Sequence, residues 1–167
     1  MTKPLVAVLM GSDSDLEVMN EAAAVLKDFG IPYDLKVLSA HRSPEDVRSY
    51  VRQSGARGIR VFICGAGGAA HLAGAVAAQT TSPVIGVPIP SPLMGLDSLL
   101  STAQMPSGTP VATVAIGKSG ARNAGILACQ ILALNNSRLR RGLELFKKKL
   151  VASIRKKNEH LKKQSQS

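Results

Sequence analysis

Residues 5–15 read LVAVLMGSDSD, and this stretch decides the fold. Leu5–Met10 is an apolar run of strand length, Gly11 permits a tight turn, and the Ser and Asp residues that follow are types that begin helices. A helical period then runs over Ser14–Phe29. A strand that is apolar on both faces and leads directly into a helix is typical of a parallel sheet covered by helices.

The same alternation recurs along the chain. Four more strands are predicted, at Tyr33–Ser39, Ile59–Gly65, Pro83–Ile89 and Pro110–Ile116. Further helices are predicted at Pro44–Gln53, Ala69–Thr80, Ser119–Leu134 and Ser137–His160. Right-handed crossovers between parallel strands predict a three-layer, flavodoxin-like α/β fold with five strands, helices on both faces and a C-terminal helical extension. Pro90–Thr109 lacks a clear period, which indicates a lid or an interface.

Length and composition indicate one domain over residues 1–167, with a core at about 4–134 and a basic C-terminal helix and tail at about 137–167. The net charge is +10, but residues from Ser137 onward contribute eleven Lys or Arg against two Glu. The rest of the chain is nearly neutral, and aromatic residues make up only 3%. A solvated helix is therefore favoured over a nucleic-acid site, although nucleic-acid binding by the tail stays an alternative.

The two cysteines and the N-terminus favour a cytoplasmic protein. Cys64 and Cys129 lie in apolar stretches without CxxC spacing, which is typical of buried reduced thiols. The N-terminal apolar run passes directly into polar residues without a signal-peptide cleavage region, and no run reaches membrane-spanning length. We therefore expect no membrane partner.

Chemistry is expected where the strands end, because ligands of open parallel sheets bind outside the carboxyl ends of the strands. GSDSD (residues 11–15) follows the first strand, and its serines and free helix N–H groups suit a phosphate. Asp13 or Asp15 could accept hydrogen bonds from ribose hydroxyls. Simple helix capping explains the same residues and remains open.

The second strand leads into SAHRSPED, residues 39–46. Ser43 has the character of an N-cap and Pro44 that of a first helical residue, with Asp46 three positions after the cap. Helix initiation does not explain His41 and Arg42. Arginine suits a phosphate and histidine suits proton transfer near neutral pH, although a lone loop histidine is often incidental.

GAGGAAHLAG (residues 65–74) follows the third strand. Four glycines in ten residues allow the backbone to approach a ligand closely. His71 is predicted in the first turn of the next helix, where a packing or capping role is the alternative. Three such segments at consecutive strand ends make a ligand site much more convincing than any one of them does.

These segments, together with DSLLSTAQMPSGTPVATVAIGKSGARNAGILACQIL, closely resemble the PurE family, the catalytic subunit of phosphoribosylaminoimidazole carboxylase. The resemblance covers about residues 5–134. It implies a flavodoxin-like fold, a homo-octamer and an N5-carboxyaminoimidazole ribonucleotide mutase activity in purine biosynthesis that uses no metal or organic cofactor. In the implied mechanism the substrate loses carbon dioxide in a closed site, and the trapped carbon dioxide adds to ring carbon C4.

The resemblance also implies residue roles. His41 is the catalytic residue that handles the proton leaving C4. The substrate-binding residues it implies are Ser12, Ser14, Asp15, Ser39, Ala40, Arg42, Gly67, Ala69, Ala70, His71 and Leu72. Residues 104–106 are a candidate for part of the closure. Ala73 stands where the family commonly has proline, a difference that we expect activity to survive.

Two further functional alternatives stay open at the level of sequence. One is a direct carboxylase that joins free carbon dioxide to aminoimidazole ribonucleotide; the form of the GAGGAAHL loop favours the mutase over it. The other is a nucleotide-binding module without catalysis that keeps the phosphate-binding residues.

Overall fold

The computed structural model describes residues 3–164. Its single sheet has five parallel strands: β1 (Val6–Met10), β2 (Tyr33–Val37), β3 (Val61–Ala66), β4 (Val84–Pro88) and β5 (Ala112–Thr113). The helices are α1 (Leu16–Asp28), α2 (Pro44–Arg57), α3 (Leu72–Ala77), α4 (Leu96–Ala103), α5 (Gly117–Ala133) and α6 (Ser137–Gln164). The strand order β2-β1-β3-β4-β5 confirms the predicted flavodoxin-like arrangement.

Burial follows the position of each strand in the sheet. The inner strands β1 and β4 are buried throughout, and β3 is buried except at its last residue. The edge strand β2 is only partly buried. The inner strands therefore have the continuous apolar sequences expected of a parallel sheet that is covered on both faces.

Helices cover the two faces of this sheet. On one face, Phe62 and Leu9 pack with Val47 of α2 and Val76 of α3 in a buried cluster. On the other face, β3 passes so close to α1 that a Cβ atom at Gly65 would lie 2.3 Å from Met19 Sδ. The resulting core is mainly aliphatic and closely packed.

Three predicted elements differ from those observed. The helix predicted at Ala69–Thr80 is confined to α3, and the fifth strand is confined to β5 because it pairs on one side only. The segment Pro90–Thr109, predicted to lack regular structure, contains α4. This helix buries Ser98 and Thr102 and exposes Leu96 and Leu100, which inverts the usual pattern of an amphipathic helix.

The chain divides after Ile131 into two compact units. The first unit holds the sheet. In the second, α6 is basic and largely exposed, and Arg140 Nη2 donates to the carbonyl oxygen of Leu134 at 3.2 Å. Cys64 and Cys129 are both buried and unpaired, as predicted. None of the helices within residues 3–164 is long and apolar enough to cross a membrane.

Candidate active site

A cleft of about 470 Å³ opens at the carboxyl ends of β1, β2 and β3. Met10, the last residue of β1, pairs with Val37 of β2 and with Gly65 of β3. The three strands therefore reach the edge of the sheet at the same level, and the loops that follow them face one another. The lining residues are Gly11, Ser12, Ser14, Asp15, Ser39, Ala40, His41, Arg42, Ala66, Gly67, Gly68, Ala69, His71, Leu72, Pro90, Ser91 and Pro92.

The loop after β1 turns into α1 through a short 3₁₀ helix, Asp13–Asp15. Ser12 caps this turn, and its Oγ accepts a hydrogen bond from the Ser14 N–H at 3.4 Å. Asp15 is the buried carboxylate of the cleft, and burial raises its pKa above the ordinary value of 3.8. The hydroxyl group of Ser14, 3.5 Å from Asp15 Oδ1, opposes that rise.

The loop after β2 closes on itself between Ser39 and Ser43. The Ser43 N–H donates to the carbonyl oxygen of Ser39 at 3.0 Å, and the Ser39 N–H donates to Ser43 Oγ at 3.2 Å. Ser43 is the N-cap of α2, as predicted, but its side chain makes no capping hydrogen bond to that helix. Its hydroxyl group instead holds the five-residue turn that carries His41.

Arg42 ties this turn to the loop after β1. Its Nη2 donates to the carbonyl oxygen of Gly11 at 2.9 Å, and its Nε lies 3.5 Å from Ser39 Oγ. Its backbone N–H also donates to Ser39 Oγ, at 3.1 Å. Since a guanidinium has five N–H donors, these contacts leave others for an anion in the cleft.

The glycine-rich loop after β3 is supported by α4. The Ala70 N–H donates to Ser101 Oγ at 3.1 Å, and the same hydroxyl lies 2.7 Å from the carbonyl oxygen of Asp97. Gly68 has φ +60°, a left-handed conformation that favours glycine. His71 is the N-cap residue of α3, with its side chain in the cleft.

The two histidines of the cleft are in contact. His41 Nε2 lies 2.8 Å from His71 Nδ1, and the rings meet edge to face with centroids 4.9 Å apart. This distance requires one nitrogen to donate and the other to accept. The loops after β2 and β3 are thus joined by a pair of imidazoles that face the cleft.

The structure brings eleven of the twelve predicted site residues into one cleft. Ala70 is the exception, because it is buried and does not line the cleft. Residues 104–106 do not line it either; Pro90, Ser91 and Pro92, at the opposite end of that segment, do. These three residues belong to the segment Pro90–Thr109, predicted as a lid or an interface, but they were not predicted individually as site residues, although they come directly after β4. The support from Ser101 was not predicted.

The described residues contain no group of three or more His, Cys, Asp or Glu side chains arranged to hold a metal ion. The polar groups of the cleft are hydroxyls, backbone N–H groups, one carboxyl, one guanidinium and the imidazole pair. They can bind a phosphate and sugar hydroxyls and can transfer a proton.

Comparison with known proteins agrees with this chemistry. An N5-carboxyaminoimidazole ribonucleotide mutase of Pyrococcus horikoshii is 52% identical over 160 residues, which are 95% of this chain and 89% of that protein. A phosphoribosylaminoimidazole carboxylase of Schizosaccharomyces pombe is also 52% identical, over 161 residues that cover 96% of this chain but 29% of that protein. The crystal structure of Treponema denticola PurE gives a TM-score of 0.83 at 31% identity, covering 92% of this chain and 95% of that one. The sequence model of the AIR carboxylase family matches residues 5–153, and the chain therefore belongs to this family.

Proposed function

We propose that this protein is an N5-carboxyaminoimidazole ribonucleotide mutase, an isomerase of de novo purine biosynthesis. It moves a carboxylate from the exocyclic nitrogen N5 to ring carbon C4 and so forms 4-carboxy-5-aminoimidazole ribonucleotide. One observation carries the proposal: His41 stands between an Arg- and Ser-lined end of the cleft and a glycine-rich wall. The 52% identity to a mutase over nearly the whole chain supports the same assignment.

The ribose phosphate occupies the end of the cleft formed by the loops after β1 and β2. Ser12, Ser14 and Ser39 offer hydroxyl groups there, and Arg42 offers the positive charge. Asp15 is placed to accept hydrogen bonds from ribose hydroxyls. Ala40 bounds the cleft beside His41.

The aminoimidazole and its carboxylate lie against the loop after β3. Gly67 and Ala69 have little or no side chain, so the base can approach the backbone closely. His71 and Leu72 form the wall next to them. Ala70 contributes indirectly, because its N–H donates to Ser101 and so holds the loop in place.

The reaction needs one group that both accepts and gives a proton, and the His41 imidazole does this. The substrate first loses carbon dioxide from N5, and C4 then attacks the trapped carbon dioxide. The electron pair left on N5 by the departing carbon dioxide is delocalised to C4 and forms the new C4–carboxylate bond. The C4–H bond then breaks, its electron pair restores the aromatic ring, and His41 takes the proton and gives it to N5, which becomes the free amino group. The glycine-rich loop and residues 90–92 form walls of the cleft that limit the escape of the carbon dioxide.

A paired-substrate assay tests the proposal. The purified enzyme is given either N5-carboxyaminoimidazole ribonucleotide, or aminoimidazole ribonucleotide with bicarbonate. We expect efficient formation of the C4 carboxylate from the first substrate. The S. pombe relative, which is named a carboxylase, makes the direct carboxylase the second candidate, and efficient use of bicarbonate with failure of the N5 compound would establish it.

The enzyme is proposed to act in the cytoplasm as a homo-octamer without a cofactor. Large apolar side chains stand exposed in the segment that follows the cleft residues 90–92; they are Leu93, Met94, Leu96 and Leu100. Several large apolar side chains exposed within one short segment are typical of a contact between subunits. Sedimentation velocity at several concentrations tests the assembly, and a monomer at every concentration would contradict it.

A further inference from the structure

In the contact between His41 and His71, one ring is the hydrogen-bond donor and the other is the acceptor. For the 2.8 Å contact to be a hydrogen bond, either His41 Nε2 or His71 Nδ1 carries the proton and the other offers a lone pair. Among the described residues, no other hydrogen bond to the ring of His41 is found. His71 is therefore the group on this chain that selects the tautomer of His41.

The backbone of His71 is fixed by hydrogen bonds, so its ring can determine the tautomer of His41. Its backbone N–H donates to the carbonyl oxygen of Ala69 at 2.9 Å, and its own carbonyl oxygen accepts from the Ala75 N–H at 2.9 Å. The preceding residue, Ala70, is fixed by Ser101 on α4. The His71 imidazole thus projects from the anchored start of α3.

We propose that His71 is a positioning residue whose Nδ1 lone pair accepts the Nε2–H of His41, so that His41 presents the lone pair of Nδ1 to the substrate. This inference rests on the proposed mutase reaction, in which His41 receives the C4 proton. The opposite arrangement would place an N–H on His41 Nδ1 and leave no lone pair on that side to receive the proton.

Donation from His41 Nε2–H to His71 Nδ1 also suits the charged form of His41. When the C4–H bond breaks, the proton goes to Nδ1 of His41, and the ring becomes an imidazolium that keeps its Nε2–H bond to His71. The acceptor on His71 stabilises that charge and holds the ring in one orientation. His71 only accepts the hydrogen bond during this step, so no proton leaves the pair. The charged side chains lining the same cleft are Asp15 and Arg42.

Three substitutions of His71 distinguish its role as a hydrogen-bond acceptor from the effect of filling the same space. His71→Leu removes the hydrogen bond, His71→Asn offers an amide oxygen close to the position of Nδ1, and His71→Asp can only accept when ionised. We expect His71→Leu to lower kcat about 10- to 100-fold, with a smaller change in KM. The Asn and Asp variants should recover most of that loss, while the Asp variant raises KM because its charge opposes an anionic substrate. His160→Asn, on the exposed helix α6, is the matched control and should be unchanged.

Nitrogen-15 NMR of the substrate-free enzyme supplies a readout that is independent of turnover. We expect His41 to be the Nε2–H tautomer in the wild type and in His71→Asp, and a mixture of tautomers in His71→Leu. Wild-type kcat in His71→Leu, or an Asp variant as impaired as the Leu variant, would overturn the inference. A fixed tautomer in a wild-type enzyme that has no mutase activity would instead overturn the proposed function and leave the pairing intact.

Discussion

Arg42 Nη2 donates to the carbonyl oxygen of Gly11 across 2.9 Å, so the cationic side chain of one loop is held by the backbone of another. The interaction orients the guanidinium toward the cleft before any ligand arrives. A preoriented cation loses less side-chain entropy when it binds a phosphate.

Arg42→Met should therefore weaken substrate binding more than it slows the chemical step. We expect KM to rise about 10- to 100-fold, as is typical for loss of a charge-assisted hydrogen bond, with a smaller fall in kcat. Steady-state kinetics measures both constants. Arg48→Met, on the exposed face of α2, is the control and should leave both unchanged. An unchanged KM in Arg42→Met would remove this residue from the phosphate site.

His41→Asn should abolish turnover while ligand binding is retained. General acid–base catalysis contributes about 10²- to 10⁴-fold, and we expect a loss of that order in kcat. Calorimetric titration with the product nucleotide checks that the cleft still binds. A nucleotide-binding module without catalysis predicts that function is untouched by this substitution, and retained turnover would refute the catalytic role of His41.

Two glycines in helices should respond to alanine with opposite signs. A Cβ atom at Gly120 in α5 would lie 1.5 Å from the carbonyl oxygen of Ala115, so the backbone must move. We expect Gly120→Ala to lower the free energy of unfolding by at least about 2 kcal/mol. Gly55 in α2 has nothing within 4 Å, and Gly55→Ala should raise stability by about 0.5–1 kcal/mol. Urea denaturation measures both, and equal effects would contradict the close approach at Gly120.

Asp15→Asn should stabilise the fold at neutral pH and impair the enzyme. Because burial raises the pKa of Asp15 in the folded state, its ionisation costs stability. That cost is absent below the ordinary value of 3.8 and is complete above the raised folded pKa. The variant should therefore resist denaturant better than the wild type at pH 7, and the difference should vanish near pH 3. Lower stability of the variant at pH 7 would contradict the raised pKa.

Much of the fold and of the cleft could be predicted from the sequence because two regular rules applied. Apolar runs predict the inner strands, and the convergence of parallel strand ends predicts that Ser12, His41 and His71 lie at one edge of the sheet. The contact between the two histidines could not be predicted, since it depends on side-chain directions in two loops separated by 30 positions.

Helix α4 shows where hydrophobic patterning fails. Ser98 Oγ lies 2.8 Å from the carbonyl oxygen of Ile89, and Thr102 Oγ1 donates to the carbonyl oxygen of Ser98 at 2.7 Å. Buried hydroxyl groups that are satisfied locally can face the core, while Leu96 and Leu100 remain exposed. A hydrophobic pattern that places leucine in the core therefore predicts the wrong buried face for α4.

The self-closed turn between Ser39 and Ser43 makes a surface loop behave like regular structure. The amide protons of Ser39, Arg42 and Ser43 are all bonded within the turn, to the hydroxyl groups and the carbonyl oxygen of its two serines. In deuterated water these amides should therefore exchange slowly, even though Arg42 is solvent-exposed. His41 thus has the accessibility of a loop residue and the positional precision of a residue in a helix.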